Sequence, residues 1–125
     1  MSDHTITMEM PEGYVAEFDV PTLWKLCEGK VASEVKPLDV ICRINGFVKT
    51  FNNDDWERVK EADLNYPIII HNKTGNIMDG CHRTVKAVVE GLVLKAIHID
   101  ELPDPIRVWK DWNTWETWRH NTKAD

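Results

Sequence analysis

Residues 66–102 read YPIIIHNKTGNIMDGCHRTVKAVVEGLVLKAIHIDEL, and this stretch decides the fold. Pro67-Ile68-Ile69-Ile70-His71 is a continuous apolar run, the pattern of a strand buried on both faces. Asn72 to Asn76, with Gly75, supply a turn. Asn76 to Asp79 return as a short strand that Gly80 ends. From His82 to Glu90, Val85, Val88 and Val89 share one helical face, and Gly91 stops the helix. Leu94 to Ile99 alternate as another strand, and Asp100 to Pro105 form a polar break.

Working outward, Val15, Phe18 and Val20 suit a short strand. Pro21 can open a helix because its missing N–H would be unpaired there anyway. Leu23, Trp24, Leu26 and Cys27 then make an apolar stripe, which predicts a helix over 21–28. In 30–51, Val40, Ile41, Ile44 and Val48 flank Asn45-Gly46, a hairpin signal. Asn52 to Asp55 offer capping side chains for a helix over 54–64 carrying Trp56, Val59 and Leu64. Residues 1–13 read as a loose polar tail, 14–104 as the domain, and 105–125 as a Trp-rich C-terminal segment with a helix over 106–120. Strands alternating with helices predict one α/β (α+β) domain, a small mixed sheet with packed helices.

The chain has 125 residues, enough for one core without staples. Apolar residues at 42% and charged residues at 29% exclude a globally disordered or fibrous chain. Fifteen Lys and Arg against twenty-one Asp and Glu give a net charge of −6. That argues against non-specific duplex DNA binding, whose affinity comes from basic groups displacing counterions. Cys27, Cys42 and Cys81 form no CxxC pair, so neither a disulfide framework nor a cysteine-rich zinc site is expected, and a reducing cytoplasm fits best. MSDHTITMEMPEG has no apolar h-region, so no secretory signal is expected. No run approaches the roughly 20 apolar residues of a membrane span.

The chemistry concentrates at Asp79-Gly80-Cys81-His82-Arg83-Thr84. Gly80 admits close backbone approach to a ligand. The residues after it open a helix, whose first N–H groups lack intrahelical partners and favour an anion. His82 and Arg83 add donors, Arg in a fork that matches phosphate, and Thr84 adds a hydroxyl. These features predict a phosphate or carboxylate bound at this helix start. The alternative is structural: Arg83 in an ion pair, His82 capping locally, Asp79 turning the chain. Asp79 could also serve as a general base or ligate magnesium beside a nucleotide.

The run from Tyr66, with Ala62-Asp63-Leu64-Asn65 before it, resembles the ParB/sulfiredoxin superfamily, and looks most like its small stand-alone ParB-like domains carrying a DGxHR motif. The resemblance covers 62–102; Tyr14 to Leu26, with Asp19-Val20-Pro21, is weakly similar to the family's first strand and helix. It implies that Gly80, Cys81, His82, Arg83 and Thr84 hold the phosphates of a nucleoside triphosphate, ATP or CTP, together with magnesium, and that phosphotransfer or nucleotide-driven switching follows. Asp79, Cys81 and His82 are the catalytic candidates. Gly80-Cys81-His82-Arg83 matches the sulfiredoxin GCHR motif letter for letter, and there the cysteine is the nucleophile. Cys81 and His82 depart from the GERR of ParB proteins, and Val85 stands where those carry another arginine. Glu17 and Asp19 fall where superfamily kinases have an acidic base.

Two other readings stay open. A thiol at a helix N-terminus beside His82 and Arg83 has its thiolate favoured, which supports sulfiredoxin-like chemistry at Cys81. Trp109, Trp112, Trp115 and Trp118 hold four of the six tryptophans at a spacing of three. On one helix that spacing drifts by about 60° per step, placing Trp109 and Trp118 on opposite sides. Two or three of them are expected to cap the core; the alternative is a protein-partner, homodimer or nucleobase-stacking surface. His71 and His98 punctuate strands, and no metal site is expected.

Overall fold

The structure is a computed structural model that describes residues 4–41 and 51–123. The described residues form one mixed α+β domain with two small sheets and five helices: β1 (Thr5–Glu9), β2 (Val15–Asp19), α1 (Val20–Leu26), β3 (Ser33–Val35), α2 (Pro37–Val40), α3 (Asn53–Glu61), β4 (Ile68–His71), β5 (Ile77–Asp79), α4 (Cys81–Glu90), β6 (Leu94–Ile99), β7 (Arg107–Trp109) and α5 (Trp112–Lys123). One sheet is antiparallel with order β1-β2-β7; the other is mixed with order β3-β6-β4-β5.

The isoleucine run does what its pattern predicts. β4 lies inside the mixed sheet, parallel to β6 and antiparallel to β5. Ile69 faces a core with Met8, Phe18, Leu23, Met78, Ile97 and Ile99. Ile68 and Ile70 face a second core with Ile77, Cys81, Ala87, Leu94 and Ala96. Three isoleucines at 0–1% exposure stabilise the fold by roughly 1.5–3 kcal/mol each. β4 thus fixes the floor on which α4 begins.

Four expectations are corrected. Residues 5–9 of the supposed tail form β1, because Ile6, Met8 and Met10 alternate beneath polar neighbours and β2 supplies the partner strand. Val40 is in the short helix α2, with Ile41 as its C-cap, because Pro37 occupies the first turn where its fixed φ suits a helix. Of the hairpin expected there, Asn45-Gly46, Ile44 and Val48 lie outside the described residues. The helix expected over 106–120 starts at Trp112. Before it, Arg107–Trp109 pair with Val15–Glu17, and Arg107 Nη1 donates to Glu17 Oε1 at 2.8 Å. Asp111 then accepts the Thr114 N–H at 2.8 Å, which opens α5 six residues later than hydrophobicity alone suggests. Finally, the expected small mixed sheet, β3-β6-β4-β5, is accompanied among the described residues by a second, antiparallel sheet of β1, β2 and β7.

No helix among the described residues is long and apolar enough to cross a membrane.

Candidate functional site

The start of α4 is built by Gly80, at φ +104°. A Cβ there would lie against Ile68 Cγ2, 2.8 Å from Ile68 Cβ and 3.0 Å from Arg83 Nη2, so only glycine fits against β4. The first turn of α4 opens beside a cavity of about 470 Å³, within the size range of small-molecule sites. Asp79, Gly80, Cys81, His82 and Arg83 all line it.

Both predicted cations are engaged with carboxylates. Arg83 Nη2 donates to Asp79 Oδ2 and to the Pro67 carbonyl, both at the long distance of 3.3 Å. Arg83 Nε is buried with no hydrogen-bond partner. Asp79 Oδ2 also accepts the Trp24 indole N–H at 2.8 Å, which pins the carboxylate to α1. His82 Nε2 lies 2.7 Å from Asp55 Oδ1. Asp55 is the third residue of α3, and its Oδ2 accepts the Asn52 N–H at 2.8 Å to close a capping box. One carboxylate therefore ties the N-terminus of α3 to that of α4. Burial pushes the Asp55 carboxyl up, but the hydrogen bonds from His82 and Asn52 and the nearby charges of His82 and Arg58 outweigh it and hold it below the usual aspartate range.

Thr84 and Cys81 depart from expectation. The Thr84 hydroxyl donates to the Gly80 carbonyl at 3.0 Å, inside the helix, and Thr84 does not line the cavity. Cys81 is packed with Ile68, Ile70 and Ile77, and burial, with the Asp79 charge, pushes its thiol up to about 12 despite Arg83. The helix N-terminus predicts a favoured thiolate; desolvation reverses that. Buried thiols of this kind are inert. Cys81 should resist iodoacetamide at pH 8 in the folded protein and react once the chain is unfolded in guanidinium, as read by mass spectrometry. Labelling of native Cys81 within minutes would show the thiol to be activated.

The remaining candidates are placed elsewhere. Glu17 accepts from Thr5 Oγ1 at 2.6 Å and from Arg107, and Asp19 caps α1 by accepting the Thr22 N–H at 3.0 Å; neither lines the cavity. Lys86 donates to the carbonyls of Lys60 and Ala62 at 2.7 and 2.8 Å, closing the C-terminus of α3. His71 is buried in the β4–β5 turn, with Nδ1 2.8 Å from Thr74 Oγ1. Among the described residues no three His, Cys, Asp or Glu side chains cluster as a metal site.

The structure adds cavity residues that the local sequence did not announce. Asp55 reads in the sequence only as a capping residue, and Arg58 as an exposed helix charge. Packing of α3 against α4 brings both to the cavity. Trp112 and Trp115 also line it. Trp109 and Trp115 are buried; Trp112 and Trp118 pack against them in part. Trp109 and Trp118 sit 5.0 Å apart rather than on opposite sides, because Trp109 belongs to β7 and not to the helix.

No protein-family model, curated protein or solved structure matches the chain.

Proposed function

We propose that the chain is a nucleotide-binding domain of the ParB/sulfiredoxin-like kind, a cytoplasmic protein that holds the phosphates of a nucleoside triphosphate at the start of α4. The observation that carries the reading is the cavity opening on Gly80 to Arg83, where a buried Arg83 Nε is without a partner. An unsatisfied buried donor costs about 1–3 kcal/mol, and a shift of the Arg83 side chain that brought Nε to an anion in the cavity would recover that cost. The N–H groups of a first helical turn, which have no intrahelical partners, point the same way. Arg58 adds positive charge on the wall, and His82 adds a ring nitrogen. Asp79 and Asp55 now balance Arg83 and His82, so phosphate would displace or share these partners. Asp79 and Asp55 would offer hard oxygen donors to magnesium carried in with a triphosphate, which would screen phosphate charge.

Phosphotransfer or nucleotide-driven switching is the consequence the resemblance suggests, with His82 positioned by Asp55 as the group able to move a proton. Thiol chemistry has little support, given how deeply Cys81 is buried.

Calorimetric titration with ATP, CTP and GTP, with and without magnesium, tests the reading. At least one nucleotide should bind in the micromolar range. Arg83→Gln should weaken it by about ten- to a hundredfold, the worth of a charge-assisted hydrogen bond at roughly 1.5–3 kcal/mol. Arg58→Gln, on the exposed side of α3, should weaken it several-fold without altering the melting temperature. Absence of heat with all three nucleotides, confirmed by unchanged melting, rejects the proposal.

A further inference from the structure

The cavity has a second wall of different chemistry. Four consecutive residues of the N-terminal strand region, His4, Thr5, Ile6 and Thr7, line it. A strand that offers one face exposes alternate residues; one that contributes consecutive residues presents its edge. Among the described residues β1 is an edge strand, paired only with β2. The Val20 N–H donates to the His4 carbonyl at 3.1 Å, so His4 and Val20 are a hydrogen-bonded pair of the antiparallel ladder. Such pairs alternate with non-bonded ones, and the register sets Thr5 opposite Asp19 and Thr7 opposite Glu17. The backbone N–H and C=O groups of Thr5 and Thr7 therefore point away from β2, along the edge that borders the cavity.

Aromatic surface completes the wall. Trp112 is half-buried and lines the cavity together with the buried Trp115. Its indole N–H donates to Glu9 Oε1 at 2.9 Å, and its ring meets Trp115 edge-to-face at 5.1 Å. The ring is thus held in place before any ligand arrives. A flat aromatic ligand recovers stacking energy on such a platform without paying to order it.

We propose that this second wall binds the nucleobase: the base stacks on Trp112, and its hydrogen-bonding edge meets the outward N–H and C=O groups of Thr5 and Thr7. Each of those residues offers one donor and one acceptor, the complement of the adjacent acceptor and donor on a base edge. The inference rests on the phosphate reading above and assigns the other end of the same ligand. α5 then becomes part of the binding site, coupling the C-terminal segment to nucleotide occupancy.

The test compares a nucleoside triphosphate with inorganic tripolyphosphate, which carries the anionic chain without the base. The wild-type protein should bind the nucleotide on the order of tenfold or more tightly, as expected for one stacked base. Only the nucleotide should quench tryptophan fluorescence. Trp112→Ala should abolish that preference and leave tripolyphosphate affinity unchanged, while Trp112→Phe, which keeps a ring, should restore most of it. Equal binding of the two ligands by the wild type overturns the base site while the phosphate site stands. So does a Trp112→Ala loss shared equally by both ligands, which marks a structural role. Failure of both ligands to bind the wild type removes the phosphate site itself, and the base site with it.

Discussion

Gly80→Ala is expected to destabilise the domain by about 2–5 kcal/mol. The backbone at φ +104° costs an L-residue roughly 1–2 kcal/mol. The added methyl must also displace Ile68 near its Cβ rather than at a flexible tip, and overpacking of that sort costs about 1–3 kcal/mol. The same methyl would press on Arg83 Nη2, so nucleotide affinity should fall along with stability. In a thermal melt followed by circular dichroism, the midpoint should drop by roughly 8–20 °C, taking about 4 °C per kcal/mol for a chain of this size. A midpoint within 2 °C of wild type would mean that the α4 start is looser than its contacts indicate.

The second large effect is Trp115→Ala. Trp115 is 6% exposed and packs with Val15 and Trp109, which joins α5 to the outer face of the β1-β2-β7 sheet. The Arg119 guanidinium lies over its ring at 5.2 Å. Truncating a buried tryptophan costs about 3–5 kcal/mol, because the removed surface leaves a cavity the neighbours fill only partly. Urea unfolding should show that loss. Limited proteolysis should cut first between β7 and α5, since what still holds α5, the Trp109–Trp118 contact and the Trp112–Glu9 hydrogen bond, buries far less surface than the Trp115 ring. Trp115→Phe should recover part of the stability. A loss below about 1 kcal/mol would indicate that α5 is not docked through this ring.

The central unit was legible because its signals are local. Three isoleucines in a row, a turn at Asn72–Asn76, Gly80 before the helix and Gly91 after it lie within one segment, and each acts on its own neighbours. β1 and β7 were not legible for the opposite reason. β7 is only three residues long, β1 sits in an otherwise polar stretch, and β2 completes both. Ile6, Met8 and Met10 carry the alternation that could have revealed β1, diluted by the polar residues between them.

The site was legible in the same measure. Gly80, His82 and Arg83 stand together because they are adjacent in the chain. Asp55, Arg58, Thr5, Thr7 and Trp112 reach the cavity from three other elements, and only tertiary packing places them there. Cys81 shows two local rules in conflict. A helix N-terminus lowers a thiol pKa, burial raises it, and the isoleucine floor beneath α4 decides for burial. Thr84 likewise follows the helix, satisfying the Gly80 carbonyl rather than a ligand.

The most direct measurement is a ¹H–¹⁵N correlation spectrum of the full chain titrated with ATP and CTP. The account predicts that the amides of Cys81, His82 and Arg83 shift progressively and saturate with the ligand. Spectra in which those amides stay fixed at millimolar nucleotide, or in which the shifts fall only on surfaces remote from the start of α4, would contradict it.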